Sequence, residues 1–314
     1  MSKLLRYAVA AVAIVAVSIA VCGATLERLY ADEANAPGYD IAVGGGYAYV
    51  SGNDGVCIYD IRDPDSAYRL VEPKWAGGAV FGLWLEEETL YVASPPQGLL
   101  IADVSDPANP EIVGRYPGSV GDLFVYDEVA YIGSYGTNLV AVDVSDPANP
   151  ERIASFGWTN PNGAAASGDY VYVTDPSRGI VKLDVSDRLN PIEAGTLSAS
   201  GSAYRLETRG AWLLSANYAA GIRVYSLDNP RFPRLYLTMS DTGEAWDVSG
   251  EYPILCVADL QEGLEVVDAS APHASREIAA DASVAPHALE YADGYVHLAD
   301  QDEGYVIYRL TLDP

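Results

Sequence analysis

One phrase recurs so nearly verbatim along this chain that it constrains the fold before any other feature does. Leu100-Ile101-Ala102-Asp103-Val104-Ser105-Asp106-Pro107-Ala108-Asn109-Pro110-Glu111 returns as Val140-Ala141-Val142-Asp143-Val144-Ser145-Asp146-Pro147-Ala148-Asn149-Pro150-Glu151. Worn copies read Lys182-Leu183-Asp184-Val185-Ser186-Asp187 and Val266-Val267-Asp268-Ala269-Ser270, with an early one at Ile58-Tyr59-Asp60-Ile61-Arg62-Asp63-Pro64. Two more keep only the pattern, around Val224-Tyr225-Ser226 and Ile307-Tyr308-Arg309. The equivalent positions are then 60, 103, 143, 184, 226, 268 and 309, separated by 43, 40, 41, 42, 42 and 41 residues. Seven evenly spaced copies make a repeat architecture in which each unit is one supersecondary element.

Within each unit the apolar segments are short and separated by turn signals, which is the pattern of strands. Leu83-Trp84-Leu85 and Leu123-Phe124-Val125 are first strands, and Leu90-Tyr91-Val92 and Tyr170-Val171-Tyr172-Val173 are second strands. A Gly (98, 179, 221, 263, 304) precedes the third strand, and the Ser-Asp-Pro turn leads to a fourth, such as Arg152-Ile153-Ala154-Ser155. Four antiparallel strands at a period near forty form a propeller blade, and seven blades close into a ring. The expected fold is therefore all-β, a seven-bladed β-propeller over residues 25–314 with repeats of about 40–43 residues. The last copy stops at Pro314 with no room for its fourth strand, while Leu26-Glu27-Arg28-Leu29-Tyr30-Ala31 resembles Glu151-Arg152-Ile153-Ala154. That N-terminal strand is expected to complete the last blade and so remove an open sheet edge.

The repeated Asp-Val-Ser-Asp-Pro-Ala-Asn-Pro phrase, with its Leu/Val-Val-Ile/Ala-Val lead, resembles the LVIVD repeat family. The resemblance runs over essentially everything after residue 25 and is sharpest in the second and third copies. It implies a secreted or surface-located prokaryotic β-propeller without an assigned biochemical role, and it brings no catalytic residues with it.

Charge excludes some partners. With 44 Asp and Glu against 18 Lys and Arg, the net charge of -26 repels nucleic acid and anionic lipid headgroups. The N-terminal residues 1–24 read as a signal peptide or membrane anchor: Lys3 and Arg6 precede an uncharged apolar run from Tyr7 to Ala24. Small residues at Ser18-Ile19-Ala20 and Cys22-Gly23-Ala24 offer cleavage sites, and Ile19-Ala20-Val21-Cys22 resembles a lipobox apart from Val21. The expectation is export, to a periplasmic, extracellular or cell-surface location, with membrane contact only through this segment. Cys57 and Cys256 fall in different blades and read as buried thiols.

The Asp-Val-Ser-Asp-Pro motif is first a turn-building device, because carboxylates there accept backbone N–H bonds and Pro presets φ. Calcium, or another divalent cation, is the alternative; otherwise no cofactor is implied. Function is sought instead where the copies differ. At the start of each first strand, facing the channel mouth, stand Tyr39, Phe81, Gly121, Asn162, Tyr204, Trp246 and His287. Next to them stand Asp40, Gly82, Asp122, Gly163, Arg205, Asp247 and Ala288. Aromatic faces with a few convergent charges suit a small-molecule, glycan or protein ligand, although the same side chains could simply plug the channel. The loops between second and third strands, with Asn53-Asp54, Pro95-Pro96-Gln97, Tyr135, Asp175, Arg178, Asn217-Tyr218, Asp259, Gln261-Glu262 and Asp300 to Glu303, share that face.

Three histidines exist, His273, His287 and His297, and only His287 falls at the expected mouth. A binding scaffold is the leading expectation. A hydrolase or lyase using His287 with Asp122, Asp247 or Glu244, with or without a metal, is the second. A structural envelope component is the third.

Overall fold

The computed structural model describes residues 23–133, 138–157, 162–197, 203–240, 243–271 and 275–313. The leader expected at residues 1–24 lies almost wholly outside them, as do Tyr135 and His273. Seven four-stranded antiparallel sheets follow one another around a ring. Blades one to six span residues 38–71, 82–116, 122–156, 164–197, 205–239 and 245–281, and blade seven is built on residues 286–312. Its outer strand comes from the other end of the chain: Ala24–Asp32 pairs antiparallel with Gly304–Leu312, with Ala24 opposite Leu312 and Ala31 opposite Val306.

The burial of each strand follows from its place in the blade. Second and third strands lie between neighbouring blades on both faces, so they read as continuous apolar runs; all six residues of Gly55–Asp60 are buried. Outer strands are far more exposed, as in Glu111–Tyr116 and Ile192–Leu197, because they sit at the rim with little packed against them. The core accordingly divides into seven clusters, one for each seam between blades. Tyr49, Ile58, Leu83 and Leu90 fill the seam of blades one and two. Val50, Tyr59, Ala299 and Tyr305 fill the seam joining blade seven to blade one, so the ring is continuous. Cys57 and Cys256 are free, buried thiols in two of these seams.

The repeated phrase does local work. Asp103, Asp143, Asp184 and Asp268 each accept the N–H of the residue two further on, at 2.8, 3.0, 3.1 and 2.9 Å. The second Asp accepts from its turn in the same way: Asp106 takes the Ala108 N–H at 3.2 Å and the Asn109 amide at 2.8 Å. These are Asx turns closing the step from third to fourth strand. Where a Gly opens the third strand the backbone requires it, as at Gly98, whose φ is +92° and whose Cβ would sit 2.1 Å from the Tyr116 carbonyl oxygen.

No helix among the described residues is long and apolar enough to cross a membrane.

Candidate functional site at the channel

The inner strand of each blade runs down the central channel, so residues at equivalent positions in the blades form layers around it. The uppermost layer carries the aromatic residues. Phe81 of blade two meets Tyr39 of blade one with ring centroids 4.8 Å apart, and Tyr39 meets His287 of blade seven at 5.8 Å. His287 meets Trp246 of blade six at 5.5 Å, and Trp246 meets Tyr204 of blade five at 4.6 Å. Tyr218, from the loop between the second and third strands of blade five, packs on both Tyr204 and Trp246 at 4.9 and 5.4 Å. The result is a crescent of touching, half-buried rings over five consecutive blades. Blades three and four contribute Gly121 and Asn162 to this layer; the Asn162 N–H is held by the Thr174 hydroxyl at 3.1 Å. The Tyr39 hydroxyl donates to Asn53 at 2.9 Å, tying the crescent to the upper loop of its own blade.

Directly beneath lies a charged layer. Arg205 donates to Asp40 at 2.9 Å, with side chains 19% and 5% exposed. Asp122 and Asp247 face the same space, and all four line a chamber of about 320 Å³ that runs down the axis. The rings above do not line it. The ten residues singled out at the mouth therefore separate into two layers: Tyr39, Phe81, Asn162, Tyr204, Trp246 and His287 above, and Asp40, Asp122, Arg205 and Asp247 below.

Further down the chamber stand Glu207, Arg209 and Glu290. Two-residue alternation along the inner strands from Arg205 and Ala288 would have located them, since every second residue of a strand faces the same side.

The carboxylates are also stitches between blades. The channel-facing edge of each inner strand has N–H groups with no partner strand, and the preceding blade supplies acceptors. Asp40 takes the Leu83 N–H at 2.8 Å, Asp247 takes the Leu289 N–H at 3.0 Å, and Glu290 takes the Val43 N–H at 2.7 Å. The Ser249 hydroxyl takes the Tyr291 N–H at 3.1 Å. Five carboxylates thus share the chamber with two guanidiniums. Burial pushes Asp122 up to about 7, Asp247 to about 6, Glu207 to about 7 and Glu290 to about 8, the Arg partners offsetting part of that rise. Asp40 is raised by burial as well, against the pull of Arg205.

His287 is engaged through Nδ1 with the Gly38 carbonyl at 2.9 Å and through its ring with Tyr39 and Trp246. The Gly38 contact fixes the ring through a backbone carbonyl. His297 is buried, bonded through Nδ1 to the Tyr305 hydroxyl at 2.8 Å, and lowered to about 4 by burial. Among the described residues no three His, Cys, Asp or Glu side chains are grouped so as to hold a metal ion. The Asx-turn carboxylates of Asp103, Asp106 and Asp143 each accept a backbone N–H.

Comparison with known structures supports the architecture. The chain is similar to the β-propeller domain of Myceliophteria thermophila Cps50 (Swd1), at 13% identity, TM-score 0.73, and coverage of 91% of this chain and 100% of that one. It is also similar to the computationally designed Ika8 protein, at 11% identity, TM-score 0.63, and coverage of 90% and 99%. At such identities the likeness shows the fold alone. No curated protein matches the chain. The LVIVD repeat model matches residues 38–70, 77–117, 117–156, 162–198 and 242–278, which together exceed half of the sequence. The chain belongs to the LVIVD repeat family.

Proposed function

We propose that this propeller is an extracytoplasmic recognition scaffold whose ligand, a glycan or a peptide, engages the aromatic crescent and the loops beside it. The observation that supports this reading most is the crescent itself. Six half-exposed ring-bearing residues from five blades converge on one face, each held by its neighbours rather than by a core. Rings held rigidly at low entropic cost offer apolar faces to sugars and to peptide side chains. The charged layer beneath supplies polar contacts and fixes the floor. Export rests on the N-terminal charge and apolar run alone. A rigid ring with variable loops needs no chemistry of its own to be useful, and the engagement of His287 with Gly38 favours recognition over hydrolysis.

Tryptophan fluorescence tests this. Soluble oligosaccharides and short peptides titrated into the protein should include ligands that shift the emission, and Trp246→Phe should remove the shift. If every responding ligand shifts the emission of the Phe variant equally, the crescent is not the recognition surface.

A further inference from the structure

The outer edge of blade five differs from every other blade rim, and we propose that it docks an acidic, extended segment of a partner protein as an added strand. This surface lies at the periphery, away from the channel mouth, and does not depend on the reading given above.

Three independent observations carry the proposal. The first is apolar exposure. Phe232 is 64% exposed, Leu235 55% and Tyr236 41%, all in the outer strand of blade five (Arg234–Met239) or the turn leading to it. Ile192 and Leu189 on blade four add 63% and 46%. Five of the eight exposed large hydrophobic side chains among the described residues thus fall on two adjacent rims.

The second is charge. Between Arg178 and Arg234 the chain carries eight of its 18 Lys and Arg residues against five acids, inside a protein of net charge -26. Most of these cations are engaged: Arg178 with Glu193, Arg188 with Glu128 and Asp143, Arg205 with Asp40, Arg209 with Glu207. Lys182 is held by the Arg231 carbonyl and lies 4.7 Å from the Tyr170 ring centroid. Arg231 and Arg234 form no ion pair among the described residues, although acids outnumber cations more than twofold. Arg231 instead lies over the Phe232 ring at 5.7 Å.

The third is the edge itself. An outer strand presents unpaired N–H and C=O groups, and proteins normally guard such edges with charge. The outer strands Glu111–Tyr116, Glu151–Phe156, Ile192–Leu197, Arg276–Asp281 and Ala24–Asp32 each contain a Glu or Asp. In the short outer strand of blade one, Tyr68–Val71, Arg69 is clamped by Asp32 and Glu72. Arg234–Met239 has no acid, and the turn at its start holds a groove of about 340 Å³ lined by Ser226, Asp228, Asn229, Phe232 and Arg234. Asp228 in that groove accepts from the Ser226 hydroxyl at 2.8 Å.

Strand addition draws affinity from main-chain bonds and specificity from side chains on alternate positions. Phe, Tyr, Leu and Arg are also well suited to the centre of an interface. The complementary occupant is acidic: the surface as a whole is strongly negative, whereas this rim sets Arg231 and Arg234, two guanidiniums without an ion pair, beside the exposed Phe232, Leu235 and Tyr236. A second copy of this chain would bring another -26 charge to the same place.

The test uses fluorescein-labelled hexapeptides that alternate Glu or Asp with Val, Ile or Tyr, their Lys counterparts, and N-methylated versions, measured by anisotropy. The acidic peptides should bind at least tenfold more tightly than the Lys series, lose affinity as salt rises, and lose binding on N-methylation. Arg231→Ala with Arg234→Ala should weaken binding at least tenfold, and Leu235→Lys should abolish it with an unchanged melting curve. Equal affinity of acidic and Lys peptides, or indifference to the Arg substitutions, would overturn the proposal. Sedimentation showing dimers that Leu235→Lys dissolves would assign the rim to a second copy, and would equally overturn it.

Discussion

Replacing Glu290 by Gln should stabilise the propeller at high pH, and the reason lies in the balance of charge in the chamber. Glu290 accepts the Val43 N–H of the next blade at 2.7 Å, a bond that a Gln oxygen reproduces. Burial raises the Glu290 carboxyl from 4.5 to about 8, so the folded state holds a proton that the unfolded chain has released. The folded protein then binds more protons than the unfolded one between these two values, and stability must fall as pH rises through that window. The contribution is complete below the unfolded value and is lost as the pH passes about 8. His297 acts in the opposite direction, because its lowered value of about 4 costs stability only as pH falls below the ordinary histidine range. Working between pH 6.5 and 8.5 keeps the two apart. For a single site, that interval is worth about 2 kcal/mol, and contact with chamber water reduces it to about 1. On a domain of this size the difference is roughly 1–2 °C in Tm. Differential scanning calorimetry of parent and Glu290→Gln should show the parent Tm falling more steeply, with the variant ahead at pH 8.5. Parallel Tm–pH curves for the two proteins would refute the reasoning.

Removing Ala24–Asp32 should lower Tm by about 10 °C or more, since it strips blade seven of its outer strand and uncovers Leu26 and its partners; a truncated protein that melts with the parent would contradict this. Arg205→Met should destabilise by about 3 kcal/mol at pH 8 and by less at pH 6, as measured by urea unfolding, because it leaves Asp40, Asp122 and Asp247 without their cation. Asp103→Ala should lower Tm only slightly, as expected for a lost turn bond at the exposed surface, with no change in any ligand affinity.

The ring was legible because a period of about forty residues with Gly and Asp-Pro punctuation leaves few alternatives. The Gly at 98, for instance, is required by a backbone that only glycine tolerates there. The layers at the channel were legible for a related reason: inner-strand register carries from blade to blade, so Tyr39, Phe81, Tyr204, Trp246 and His287 could be aligned without coordinates. What register could not show is tertiary. That Asp40 and Asp247 reach across to N–H groups of the neighbouring blade depends on where the next inner strand lies. Glu207, Arg209 and Glu290 lie two or four residues beyond Arg205 and Ala288, in the blades where the repeat is most worn and carries no signature at those depths. The rim of blade five was also hidden, since Arg234–Met239 has the same strand pattern as its counterparts and differs only in what guards it.

The central claim is that recognition resides in the crescent while the repeated turns only build the blades. For the strongest ligand found by fluorescence, isothermal titration with Trp246→Ala, Tyr204→Ala and Asp106→Ala compares the two directly. The account predicts a loss of tenfold or more for each crescent substitution and none for the turn. Full affinity in both crescent variants, or a loss confined to Asp106→Ala, would contradict it.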